Sequence, residues 1–112
     1  MYIDGFVIPV PIANKDAYIK GSRMFGDMAK ACGAVRLVEY WGDDVPDGQV
    51  TSFPMAVKLE PGETVVLSYI EWPDKATRDA GNEKMRADPN MNSAVMPFDG
   101  KRMIFGGFEP LA

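Results

Sequence analysis

The sequence predicts an α+β fold, four strands and two helices in the order β-α-β-β-α-β, and three observations predict it. The stretches Tyr2–Val10, Val35–Trp41 and Glu63–Trp72 are runs of β-branched and aromatic residues bounded by proline and glycine. Two longer stretches, Asn14 to Cys32 and Pro73 to Asp88, carry apolar residues at the three- and four-residue spacing of a helix face. The stretch Phe98–Pro110, FDGKRMIFGGFEP, opens on an Asp99-Gly100 turn and closes on Gly106-Gly107-Phe108. It reads as a last strand, with two glycines where a side chain would obstruct a close neighbour.

Taken in order, Tyr2, Asp4, Phe6 and Ile8 alternate with Ile3, Gly5 and Val7, a strand that Pro9 and Pro11 are expected to end. Asn14 is the N-cap candidate for the first helix. Its predicted core stripe is Ala17, Gly21, Met24, Met28 and Ala31, with Phe25 and Cys32 beside it and Gly33 as the stop. In the second strand Val35, Leu37, Glu39 and Trp41 share one face and Arg36, Val38 and Tyr40 the other. An acidic, turn-rich loop, Gly42–Gly48, follows. Ser52–Leu59 is apolar but holds Pro54, so it is expected to be irregular or a short strand. Glu63–Trp72 is the clearest strand. The second helix starts at Pro73-Asp74 and stops at Pro89, with a thin apolar face of Ala76, Ala80 and Met85. One more helical turn is expected over 90–96.

With right-handed crossovers this order gives a ferredoxin-like, four-stranded antiparallel sheet of order 4-1-3-2 with both helices on one face. The strands are apolar on both sides, and bare apolar patches of that size are rare on monomers. A homodimer through the sheet face is therefore expected.

The chain has 112 residues, enough for one modest core, and is read as a single domain over 1–112. A net charge of −4 without a lysine–arginine cluster argues against nucleic acid as a partner. One cysteine cannot form an internal disulfide, so a cytoplasmic setting is expected. The N-terminus shows no basic leader, and no apolar run approaches the ~20 residues of a membrane span. Histidine is absent, which removes the usual general base near neutral pH and the commonest zinc ligand. No cofactor and no tightly bound transition metal are expected.

Strand order gathers the ends of the first and second strands and the start of the last at one edge of the sheet. The ligand-binding candidates there are Tyr40, Trp41, Asp99, Lys101 and Arg102, with Asp43 and Asp44 nearby: aromatic walls with opposed charges suit a polar small molecule. The competing reading is a turn capped by Asp99 with Lys101 and Arg102 on a solvated rim, or Arg102 buried against Asp99 as a structural pair. Asp43, Asp44 and Asp47 lack the spacing of a calcium loop and read as turn formers. Asp4, set among apolar neighbours, is either a buried base or a capped or edge residue close to the terminus. Cys32 at a helix C-terminus faces the carbonyl end of the dipole and is no nucleophile candidate. The eight methionines are core filler or a methionine-rich binding surface. No catalytic signature is present.

The segments DGFVIPVP, YWGDDVPDG, TSFPMAVKL and PFDGKRMIFGGFEPL resemble the DUF1428 (YbaA-like) family of uncharacterised bacterial proteins, over essentially the whole chain. The resemblance implies a dimeric α+β barrel, in which two ferredoxin-like protomers face their sheets together. It supplies no catalytic residues. Proteins of that superfamily include cofactor-free monooxygenases, isomerases, haem enzymes and non-catalytic stress proteins, and fold alone does not choose among them. The missing histidine weakens the haem reading.

Overall fold

The computed structural model describes residues 1–89 and 96–112. Four strands, β1 (Tyr2–Pro11), β2 (Arg36–Trp41), β3 (Glu63–Trp72) and β4 (Ile104–Phe108), form one antiparallel sheet of order β2-β3-β1-β4. This is the expected order read from its other edge. A 3₁₀ turn, Ile12–Asn14, leads into the long helix α1 (Lys15–Ala31); a single helical turn α2 (Phe53–Ala56) precedes β3, and α3 (Lys75–Ala87) follows it. The turn expected over 90–96 lies, but for Met96, outside the described residues.

Register assigns the two faces. Phe6 pairs with Ser68, Ile8 with Val66, and Leu37 with Ile70. These residues face α1 and α3, where Ile8, Val10, Val66, Ile70, Trp72, Ala29 and Met85 form the core. The opposite face carries Ile3, Val7, Val38, Tyr40, Leu67, Tyr69, Ile104 and Phe108, and neither α1 nor α3 covers it. There Tyr40 is 58%, Leu67 47% and Phe108 56% exposed. Its end near Pro9 and Val65 is buried, where α2 with Phe53 packs against β3.

Several local expectations are corrected. The core stripe of α1 is Tyr18, Ser22, Phe25, Ala29 and Cys32, about 100° around the helix from the expected one; Ala17, Gly21, Met24 and Ala31 are exposed. Gly26 lies on the buried side against Leu37, where a Cβ would make an ordinary contact at 3.6 Å. Asn14 occupies the N-cap position of α1 as expected, but its side chain makes no capping bond. The 3₁₀ turn runs straight into the helix, and the Asn14 amide instead donates to the Pro97 carbonyl at 3.0 Å. Pro9 does not end β1, since β4 pairs only with Ile3–Val7 and the missing N–H falls beyond its reach. Pro54 does not break a strand but helps start α2, which is capped by Ser52 Oγ accepting from Met55 N at 3.1 Å. In α3 the buried stripe is Gly81 and Met85 flanked by Thr77, Arg78 and Asn82, and Ala76 and Ala80 face solvent.

The stop signals hold. Gly33 adopts φ +109 just past α1, a conformation open to glycine and costly for other residues. Asp74 caps α3 by accepting from Thr77 N at 2.7 Å. Of the two glycines in β4, Gly107 meets the expected obstruction: a Cβ would lie 2.3 Å from the Tyr2 hydroxyl and 2.8 Å from Arg78 Nη2. Among the described residues no helix is long and apolar enough to cross a membrane.

Candidate functional site

A cavity of about 460 Å³ lies between α1 and the helix-side face of the sheet. Rotation of α1 creates it: Ser22 and Gly21 face a broad gap that Phe25 and Met28 border, and among the described residues no side chain is placed to fill it. Phe6 and Ile8 of β1 form the floor, Met96, Phe98 and Met103 one wall, and Met24 and Met28 the roof. Four of the eight methionines thus line one cavity, where their flexible thioethers adapt to varied shapes.

Four polar side chains, Tyr18, Ser22, Glu39 and Ser68, interrupt this apolar surface. Tyr18 from α1 donates its hydroxyl proton to Glu39 Oε1 of β2 at 2.5 Å. Glu39 pairs in register with Ser68 of β3, which is 2% exposed and lines the cavity as well. Burial of the phenol, then its hydrogen bond to Glu39 and the negative charge of that carboxylate, push the Tyr18 pKa far above 10.0. Tyr18 is therefore a neutral donor at physiological pH, and Glu39 is the one formal charge among the described residues that line the cavity. Phe98 closes on the Tyr18 ring edge-on at 5.7 Å, holding the phenol in place. A small molecule fits such a volume, with an apolar body in the cavity and one polar atom at its inner end.

The candidates expected at the sheet edge divide into two groups. Trp41 lies on the helix side against Ile8, Val10 and Val66, with Lys15 Nζ 5.1 Å over its ring. Tyr40 lies on the open face. Both line a second hollow of about 200 Å³ together with Asp43, Asp44 and Phe53. Asp99, Lys101 and Arg102 are not among the residues that line it. Lys101 is exposed and uses its backbone N–H to donate to Asp99 Oδ1 at 3.0 Å, closing the turn.

Arg102 is a fastener. Its Nη1 and Nη2 donate to the two carboxylate oxygens of Glu63 at 2.7 Å each, its Nε donates to Asp99 at 3.0 Å, and Nη1 also reaches the Lys58 carbonyl at 3.0 Å. The guanidinium thus ties the start of β3, the loop after α2 and the turn before β4 together, in the bidentate geometry that arginine favours. Hydrogen bonds from Arg102 hold the Glu63 carboxyl below its ordinary 4.5 and the Asp99 carboxyl below its ordinary 3.8. A depressed folded pKa contributes stability that is full above the unfolded value and is lost as pH falls through the folded one. Stability should therefore fall as the pH drops below about 4.5. In Arg102→Met that acid-side loss should be shallower, a comparison made with urea midpoints at pH 7 and pH 3. Equal slopes in the two proteins would show that Arg102 does not depress these carboxyls.

Asp4 is a paired acid. It is 5% exposed and accepts from Trp72 Nε1 at 3.0 Å, from Arg78 Nε and Nη2 at 3.0 and 2.7 Å, and from Asn82 Nδ2 at 3.3 Å. Arg78 in turn lies over the Tyr2 ring at 5.2 Å. Both carboxylate oxygens are saturated by donors from α3 and β3, so this acid serves structure and is not poised as a base. On the open face, which also carries Tyr69, Arg36 pairs with Glu71.

Tyr18, Glu39 and Ser68 were not singled out by sequence. Glu39 carried the available signal, a charge on the same strand face as Val35, Leu37 and Trp41. Tyr18 was hidden by the neighbouring stripe assigned to α1, and Ser68 by its position in an otherwise apolar strand.

Comparison with known proteins follows the resemblance. A profile of the family described as "Protein of unknown function (DUF1428)" matches residues 1–100. Proteins named "Uncharacterized protein YbaA" from Escherichia coli strain K12, Escherichia coli O157:H7 and Shigella flexneri are each 54% identical to this chain over 112 residues. The match spans 98% of this chain and 96% of each relative.

Proposed function

The chain belongs to the DUF1428 family, and we propose that it works as a cytoplasmic homodimeric α+β barrel protein that holds an apolar small molecule between α1 and its sheet. The observation that carries this reading is the cavity of about 460 Å³, which a well-packed core of this size would otherwise fill. A purely structural module gains nothing from such a space. The open face supports the dimer: Tyr40, Leu67, Ile104 and Phe108 form an apolar surface, and a second copy facing it through a two-fold axis buries both at once. In that assembly the hollow at Tyr40 and Trp41 lies at the edge of the interface, and the expected ligand role of that edge rests on what the partner adds to it. The Tyr18–Glu39 pair favours a second reading, a cofactor-free monooxygenase or isomerase-like enzyme, because a carboxylate inside an apolar cavity is a natural proton acceptor.

Binding of N-phenyl-1-naphthylamine, a neutral dye that brightens in apolar surroundings, tests the cavity. The wild type should bind it, and Ser22→Phe, which fills the gap from α1, should weaken binding by about tenfold or more, 1.4 kcal/mol, while preserving the fold. An unchanged affinity would place the dye elsewhere and remove the support for the cavity. Sedimentation equilibrium tests the dimer. A mass twice 12.3 kDa at micromolar concentration is expected, with Leu67→Asp returning the monomer. A monomeric wild type ends the barrel reading and leaves the cavity reading standing.

A further inference from the structure

We infer that the molecule held in this cavity presents a hydrogen-bond-donating head, a hydroxyl or a protonated amine, to Glu39, and that the cavity rejects apolar acids. The inference rests on the cavity reading above and adds the chemical class of the ligand. Its basis is the imbalance of donors and acceptors around Glu39. A carboxylate offers about four acceptor positions on its two oxygens. Tyr18 occupies one of them, on Oε1, and no other hydrogen bond reaches Glu39 among the described residues. The Tyr18 proton is committed to that bond, so the phenol offers an incoming group only lone pairs. Ser68, opposite Glu39 on β3, is the other hydroxyl at this end.

The rest of the lining sharpens the preference. No lysine or arginine is among the described residues that line the cavity, so nothing there compensates a second negative charge. An anionic head brought to Glu39 would meet a like charge with little water between, where repulsion is far stronger than in bulk solvent. A donor head instead satisfies the open carboxylate oxygen. Phe6, Phe25 and Phe98 add faces that favour a cation or an aromatic body. The selection is by repulsion of one head group as much as by attraction of the other.

Four probes that share one phenylbutyl body separate these terms: butylbenzene, 4-phenylbutan-1-ol, 4-phenylbutan-1-amine and 4-phenylbutanoate, each competed against the bound dye at pH 7. The alcohol and the amine should bind about tenfold or more tighter than the acid. In Glu39→Gln the gap between amine and acid should close to about threefold or less, with butylbenzene unaffected. Tyr18→Phe serves as the second variant, because it keeps the carboxylate and frees Oε1; there the preference for donors should persist or grow. If the acid competes as well as the alcohol and the amine in the wild type, the inference is wrong, while butylbenzene binding would keep the cavity reading. If Tyr18→Phe loses the preference, Glu39 is not its source and the inference fails. If none of the four competes, the cavity reading fails and the inference falls with it.

Discussion

Replacing Asp4 by alanine should cost about 3–5 kcal/mol of stability, the loss expected when one partner of a buried ion pair is removed. Three donors lose their acceptor at once. Trp72 is wholly buried, so its indole N–H would be left without a partner, at about 1–3 kcal/mol on its own. Arg78 is less constrained, since its side chain is 22% exposed and part of the guanidinium can turn to water or stay on Asp79. That partial escape puts the expected value near the lower end. For a chain of this length such a loss lowers the melting temperature by roughly 10 °C or more. Asp4→Asn keeps an acceptor oxygen for Trp72 and should cost less than the alanine variant. Urea melts of the two variants check both claims. A change within about 1 kcal/mol for Asp4→Ala would show that the network is solvated and would reopen Asp4 as a functional acid. Ligand affinity in the α1 cavity should be unaffected wherever the variant is folded, because Asp4 is not among the residues lining it.

The strands were legible because a half-buried strand must carry its own β-formers, and Glu63–Trp72 came out with the expected ends. Helix ends were legible where one residue has one job: Gly33 at positive φ, Asp74 as a cap, Pro89 after the last turn. The face of α1 was not. Ala17, Gly21, Met24, Met28 and Ala31 make as good a stripe on paper as Tyr18, Ser22, Phe25, Ala29 and Cys32, and periodicity alone cannot choose between adjacent stripes. What chooses is tertiary packing, which takes Tyr18 and Ala29 into the core with Phe25 and Cys32 against it. The cavity inherits that ambiguity, because it exists only once α1 is turned so that Ser22 and Gly21 face the gap. Arg102 illustrates a second limit. Its neighbour Asp99 is three residues away and was anticipated, but Glu63 and the Lys58 carbonyl lie 39 and 44 residues distant, and no local pattern names such partners. A charged residue in a sequence advertises that it needs a partner without saying whether that partner is the protein or a ligand.

Gly81 sets the position of α3, and Gly81→Ala should destabilise the protein although alanine is the better helix former. In the exposed interior of a helix the exchange gains up to about 1 kcal/mol. Here the new methyl would sit 2.4 and 2.6 Å from two ring atoms of Trp72 and 2.7 Å from the Cys32 carbonyl oxygen. None of these is a flexible chain end. Trp72 is fully buried and held by its bond to Asp4, and the carbonyl belongs to the backbone at the end of α1. The helix must therefore move away from the sheet, which opens the packing of Met85 and stretches the Arg78 and Asn82 bonds to Asp4. Overpacking of this kind costs about 1–3 kcal/mol and sometimes more, so a net loss of about 2 kcal/mol is expected after the propensity gain. Gly21→Ala supplies the contrast: a Cβ there meets nothing within 4 Å, and that variant should gain up to about 1 kcal/mol. A double variant, Gly81→Ala with Trp72→Phe, should cost less than the sum of its parts, because the smaller ring vacates the space that the methyl needs. Thermal and urea melts of the four proteins decide the matter. Stabilisation by Gly81→Ala, or strict additivity with Trp72→Phe, would mean that the close approach of α3 to Trp72 does not place this helix.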